Sequence, residues 1–159
     1  MRRLLLDPDY QLCLRENEKR EVDRHYCRHD FNHLLDVARI AWILCLERGC
    51  AYPQGVVYAA ALLHDIGRFM QYDDPSKDHA VVSCDLAEPL LARQGCSKEQ
   101  INLITTAILV HRLPPADIHH PLGRIIAEAD DLSRRCFQCT ALAVCHKYER
   151  MATKYGVQY

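Results

Sequence analysis

Apolar residues return every three or four positions along this chain and do not alternate, which predicts an all-α protein. The pattern is interrupted at Gly49 to Pro53, Asp73 to Lys77, Gly95 to Ser97 and Leu113 to Pro121. About six helices fit between and around these marks. The first, near 7–22, has Pro8 at its start and a polar run, RENEKRE, which places it on the outside. The second runs near 29–48 with the stripe Val37, Ile40, Ala41 and Leu44. The third, near 54–70, follows Pro53, and the fourth, near 78–94, contains Pro89, which predicts a kink or break. Ser97 with Gln100 in the capping-box position opens a fifth, ending near 111. Pro121 opens a sixth that extends to 149, leaving ATKYGVQY as a loosely held tail.

Composition narrows the class. With 159 residues, 49% of them hydrophobic, the chain suits one domain with a real core. A net charge of −1 carries no basic excess for nucleic acid. Without an apolar run near the roughly 18 residues of a membrane helix, the expectation is a soluble cytoplasmic protein with no membrane partner. The nine cysteines are odd in number and no export signal precedes them, so thiols or metal ligands fit better than disulfides.

The stripes also carry ionisable residues. His33 lies one turn before Val37, and His64 four residues after Ala60 with Asp65 beside it. His79 heads Val82, Leu86 and Leu90; His111 ends Ile101, Ile104 and Ile108; Asp130 follows Ile126 by four. A single histidine on an apolar stripe is commonly a hydrogen-bonded core residue. Four histidines and two aspartates turned inward together would leave many buried polar groups without partners, and a shared metal satisfies them jointly. Imidazole with carboxylate suits Mn, Fe, Co, Ni or Zn, or Mg with waters. Six ligands exceed the need of one open ion and would serve two that share a carboxylate.

The ordered set resembles the HD superfamily of metal-dependent phosphohydrolases. HLLDVA (33–38) resembles its first-histidine motif, LLHDIGR its signature doublet, DHAVVS (78–83) the segment with a further histidine, and EADDLSR its Ala-Asp ending. The likeness spans residues 25–135 and implies a single-domain helical bundle around the metal. It implies that His33, His64, Asp65 and Asp130 hold a first ion, with Asp65 bridging to a second held by His79 and His111. This pattern resembles bacterial enzymes that split dinucleoside polyphosphates, and is shared by a few dinuclear iron oxygenases. The alarmone hydrolases, with an acidic pair after the doublet, and the cyclic-dinucleotide phosphodiesterases, with Gly-Tyr-Pro, are less similar.

The activity so implied is hydrolysis of a nucleotide or other phosphate ester or anhydride by metal-activated water. The alternatives are an iron oxygenase, or a nucleotide-binding regulatory module that keeps its metal for stability. Arg68, one turn past His64, is a candidate clamp for substrate phosphate, as is Arg134, one turn past Asp130. Lys77 and Arg112 are weaker candidates. His29, one turn before His33, could touch the ligands or substrate, whereas His119 and His120 fall in a Pro-rich loop and read as exposed. The connection MQYDDPSKD (70–78) reads as a mobile border to the pocket.

CFQCTALAVC groups Cys136, Cys139 and Cys145, either as small hydrophobes on a helix face or as half of a Zn or Fe–S site. Cys27 is six residues before His33, and Cys136 six after Asp130. If those helices run antiparallel, both cysteines are displaced the same way, about 9 Å from a shared metal. A four-thiolate site of Cys27, Cys136, Cys139 and Cys145 then requires the sixth helix to break between 136 and 145.

Overall fold

A computed structural model describes residues 2–159. Among these residues the regular structure is all helical, without strands. Eight α-helical segments follow in order: α1 Arg2–Leu5, α2 Pro8–Arg20, α3 Phe31–Glu47, α4 Gln54–Leu63, α5 Arg68–Asp73, α6 His79–Arg93, α7 Lys98–Val110 and α8 Pro121–Leu132. Among the described residues, no helix is long and apolar enough to cross a membrane.

Local chemistry explains most boundaries. The carboxylates of Asp7, Asp30 and Asp78 accept backbone N–H groups at the starts of α2, α3 and α6. Ser97 and Gln100 close the reciprocal capping box of α7. At α8 the ring of His120 does the same work, accepting from the Gly123 amide at 3.1 Å; His120 is therefore half-buried, while His119 is exposed as expected. α6 continues through Pro89 without a break. Both Pro89 and Asp85, whose carbonyl loses its helical partner, face water, so the lost bond is replaced by solvent.

α4 is nearly all apolar and is buried along Val56, Val57 and Ala59 to Leu63, which makes it the central helix. α3 packs on α4 and α8, and α7 on α4, α6 and α8; α5 rests against α6 and α2. The apolar core runs from Leu4 and Tyr10 through Leu34, Leu44 and Leu63 to Ile108 and Ile126.

Four expectations need correction. The third helix does not run to 70: it stops at Leu63, turns through His64 to Gly67, and resumes as α5. In place of a mobile border, the connection after 70 begins as helix, with Arg20 gripping Asp73 through two bonds of 2.6 and 2.7 Å. α2 lies on the outside as expected, but it is anchored by one face: Tyr10, Cys13, Leu14 and Asn17 are buried, and the Tyr10 hydroxyl donates to the Leu62 carbonyl at 3.2 Å. The sixth helix ends at Leu132, far short of 149. Ser133 turns its hydroxyl back to the Asp130 carbonyl at 2.7 Å, and short 3₁₀ turns follow. The tail is held too: Met151 and Thr153 are buried and Tyr159 donates to Glu47.

Candidate metal centre

Breaking the third helix has a structural purpose. On a continuous helix, neighbours point about 100° apart, so His64 and Asp65 could not both face one centre. The turn lets both become fully buried. Asn17 of α2 spans the break, donating to the Asp65 carbonyl at 3.0 Å and accepting from the Phe69 amide at 2.7 Å. Gly67 lets the turn press against α6: a Cβ there would lie 2.7 Å from both the Ser83 nitrogen and Val82 Cγ1. The Gly67 amide donates to the Ser83 hydroxyl.

All six residues named from the sequence converge. His33, His64, Asp65, His79, His111 and Asp130 are buried, and they come from α3, the α4–α5 turn, the start of α6, the end of α7 and α8. Asp65 stands in the middle. Its Oδ1 lies 3.3 Å from His79 Nε2 and 3.8 Å from His111 Nε2; its Oδ2 lies 3.5 Å from His64 Nε2. Asp130 Oδ1 is 3.2 Å from His33 Nε2 and 3.9 Å from His64 Nε2. His33–His64–Asp130 and His64–Asp65–His111 form two compact donor groups that could hold a metal.

The donors fit a cation. Two ligands about 2.1 Å from one ion stand roughly 3 to 3.5 Å apart, close to these spacings. Nδ1 of His64 donates to the Ala61 carbonyl at 2.7 Å and Nδ1 of His111 to the Ile108 carbonyl at 2.5 Å, which leaves both Nε2 lone pairs facing inward. Buried His64 Nε2, Asp65 Oδ1 and both nitrogens of His79 have no hydrogen-bond partner. Such a cluster of orphaned polar atoms, with lone pairs of His64, Asp65 and His79 among them, is costly unless a cation fills it.

Electrostatics prepare the ligands. Burial pushes His33 and His111 down to about 4 and His79 to about 3, so all three are neutral at pH 7. Burial opposes ionisation of Asp65 and Asp130, but Arg68 beside the first and Arg134 beside the second hold both carboxyls well below the usual range.

The candidate phosphate residues separate. Arg68 contacts Asp65 at 3.3 Å and lines a cavity of about 750 Å³ together with His79, His111 and Arg112. Arg134 does not reach it. Its guanidinium is buried against Asp130, 3.1 Å from His33 Nε2, and donates to the Arg28 carbonyl, so it faces the ligands. Lys77 is exposed on another face. His29 is buried, with Nδ1 donating to Glu21 at 2.6 Å and Nε2 3.6 Å from Asp65 Oδ2. Glu21 also accepts the Tyr72 hydroxyl. Glu21, Tyr72 and Asn17 were not foreseen. The spacing Tyr10, Cys13 and Leu14, Asn17, Glu21 is helical and signals an inward face, masked by the charges between.

The HD domain family profile matches residues 30–135, and thus every one of these ligands. An uncharacterised protein of Clostridium beijerinckii is 34% identical over 143 residues, covering 90% of this chain and 88% of its own length. No solved structure matches the chain. With two thirds of its length matched and its donors gathered at one centre, the chain belongs to the HD-domain family, in the superfamily of metal-dependent phosphohydrolases.

Proposed function

We propose that this protein hydrolyses a small phosphate ester or anhydride, a nucleotide being the favoured class, at a centre of one or two divalent ions held by His33, His64, Asp65, His79, His111 and Asp130. The observation that carries this reading is the cavity beside the ligands. Arg68, Arg112, Arg124, Lys147 and Arg150 line it along with His79, His111 and Asp130. Its volume, about 750 Å³, suits a ligand of nucleotide size. Leu113, Pro115, Ile118 and Leu132 give it an apolar side where a base would lie.

A divalent ion held by these six residues would supply a water activated near neutral pH and positive charge for the phosphoryl oxygens. Arg68 reaches from Asp65 into the cavity and clamps a phosphate oxygen. Lys147 and Arg150 pair with Asp131 at 3.7 and 3.1 Å, exposed contacts weak enough to yield to an anionic substrate. His29, neutral because it is buried, presents Nε2 towards the centre with Glu21 behind it, and can take a proton from the attacking water there. Arg134 keeps Asp130 and His33 in place.

The test is a phosphatase and nucleotide panel with added Mn, Co or Fe, under air and without oxygen. Phosphate release that Asp65→Ala abolishes supports the reading. Turnover that consumes oxygen, or a tightly bound nucleotide without turnover, overturns it.

A further inference from the structure

The segment after α8 raises a separate question: what organises it? From Cys136 to Tyr155 it contains only short 3₁₀ turns, and its buried residues are Cys136, Ala141, Met151 and Thr153. That is too little apolar burial to fix twenty residues of irregular chain on its own. Its three cysteines share a local geometry. The Cys136 carbonyl accepts from the Cys139 amide at 3.1 Å, that of Cys139 from Leu142 at 3.4 Å, and that of Cys145 from Tyr148 at 3.0 Å. Each cysteine therefore opens an i to i+3 turn, a compact bend of the chain.

A fourth thiol arrives from the other end of the chain. Arg134 donates to the Arg28 carbonyl and Arg24 to the Cys27 carbonyl, at 3.3 and 2.8 Å, which fastens the approach to α3 beside the end of α8. Cys27, Cys136 and Cys139 line one cleft of about 600 Å³, with Arg28, Arg134 and Arg135 around them. All four cysteines are free.

We propose that Cys27, Cys136, Cys139 and Cys145 form a four-thiolate metal site, separate from the His/Asp centre, that ties the N-terminal approach to the irregular C-terminal segment. The ligand set is that of a structural zinc ion or an iron–sulfur cluster. Among the described residues, no three of these sulfurs fall within 4.8 Å of one another. A cluster spreads its sulfur ligands more widely than one ion does, whereas a single zinc, at about 2.3 Å from each sulfur, would draw the turns inward. The arginines around the cleft offset the negative charge of four thiolates.

The test uses the full chain, purified without oxygen. Metal and acid-labile sulfide are counted per chain in the natural protein, in Asp65→Ala and in Cys136→Ser/Cys139→Ser. The expected result is one zinc, or iron with equimolar sulfide and a visible sulfur-to-iron band, kept in Asp65→Ala and lost in the double variant. Peptide mapping after alkylation of the natural protein covers the case in which the variant fails to fold. Cys27, Cys136, Cys139 and Cys145 should be protected together and become reactive together when the metal is removed. Reloading chelated protein with Co(II) alone should produce a thiolate-to-cobalt band if the site takes one ion, and ferrous iron with sulfide should restore the visible band if it takes a cluster. Uniform alkylation of the four thiols in metal-replete protein, or metal content identical in the natural protein and the double cysteine variant, overturns the proposal.

Discussion

Asp65 is fully buried, yet the residues around it leave Oδ1 without a hydrogen bond. Arg68, His79 and His111 all approach that oxygen, at 3.3, 3.3 and 3.8 Å, but only the imidazoles can donate to a metal. Roles can therefore be tested one residue at a time. Replacing Arg68 with Ala removes the proposed phosphate clamp but no metal donor. It is expected to lower kcat/KM by about 100-fold while metal content per chain stays unchanged. A steady-state series with metal analysis on the same samples checks this. Ser133 is a subtler case: its hydroxyl lies 3.1 Å from His33 Nδ1. Ser133→Ala should weaken metal affinity by roughly 10-fold through loss of that orienting contact, read by competition with a chelating dye.

At the scale of elements, the decisive feature is the interruption between α4 and α5. Asn17 satisfies both backbone groups that the interruption frees, and Gly67 lets the turn sit on α6. Gly67→Ala should cost about 1 to 3 kcal/mol, because its new methyl meets backbone as well as the Val82 side chain. Denaturant unfolding measures it. Asn17→Ala should cost about 2 to 3 kcal/mol, since the Asp65 carbonyl and the Phe69 amide both lose their partner. If instead Asn17→Ala unfolds at the natural midpoint, the bracing role given to α2 is wrong. The helix starts at Pro8, Ser97 and Pro121 were legible because caps and prolines act within one turn. The end of α8 was not. No glycine or proline marks it, and the turn is stabilised by Ser133 and Arg134 reaching His33, a hundred residues away in sequence.

For the whole molecule, acid should be the main threat to the metal-free fold. His33, His79 and His111 bind protons in the unfolded chain near pH 6.5, but in the fold only near 4, 3 and 4. Between these limits the unfolded chain binds more protons, so stability is greatest above about pH 6.5 and falls as pH drops towards 4. Asp65 and Asp130, held below their ordinary range, act with the same sign at still lower pH. Melting temperature in chelator should therefore fall steadily from pH 7 to pH 4. A flat profile would mean that these imidazoles are protonated in the fold.

The helical class, the six donors and their order along the chain were determined by the sequence itself. Helical periodicity is local, and each donor continues an apolar stripe that burial must turn inward. Tertiary structure decided the rest. It turned Arg68 to the cavity and Arg134 to the ligands, although both follow a donor by one turn or nearly so. It drew Glu21 and Tyr72 behind His29, and it brought Cys27 within reach of cysteines more than a hundred residues later. Such meetings depend on which helix packs on which, a balance of contacts summed over the whole core that no short stretch of chain contains.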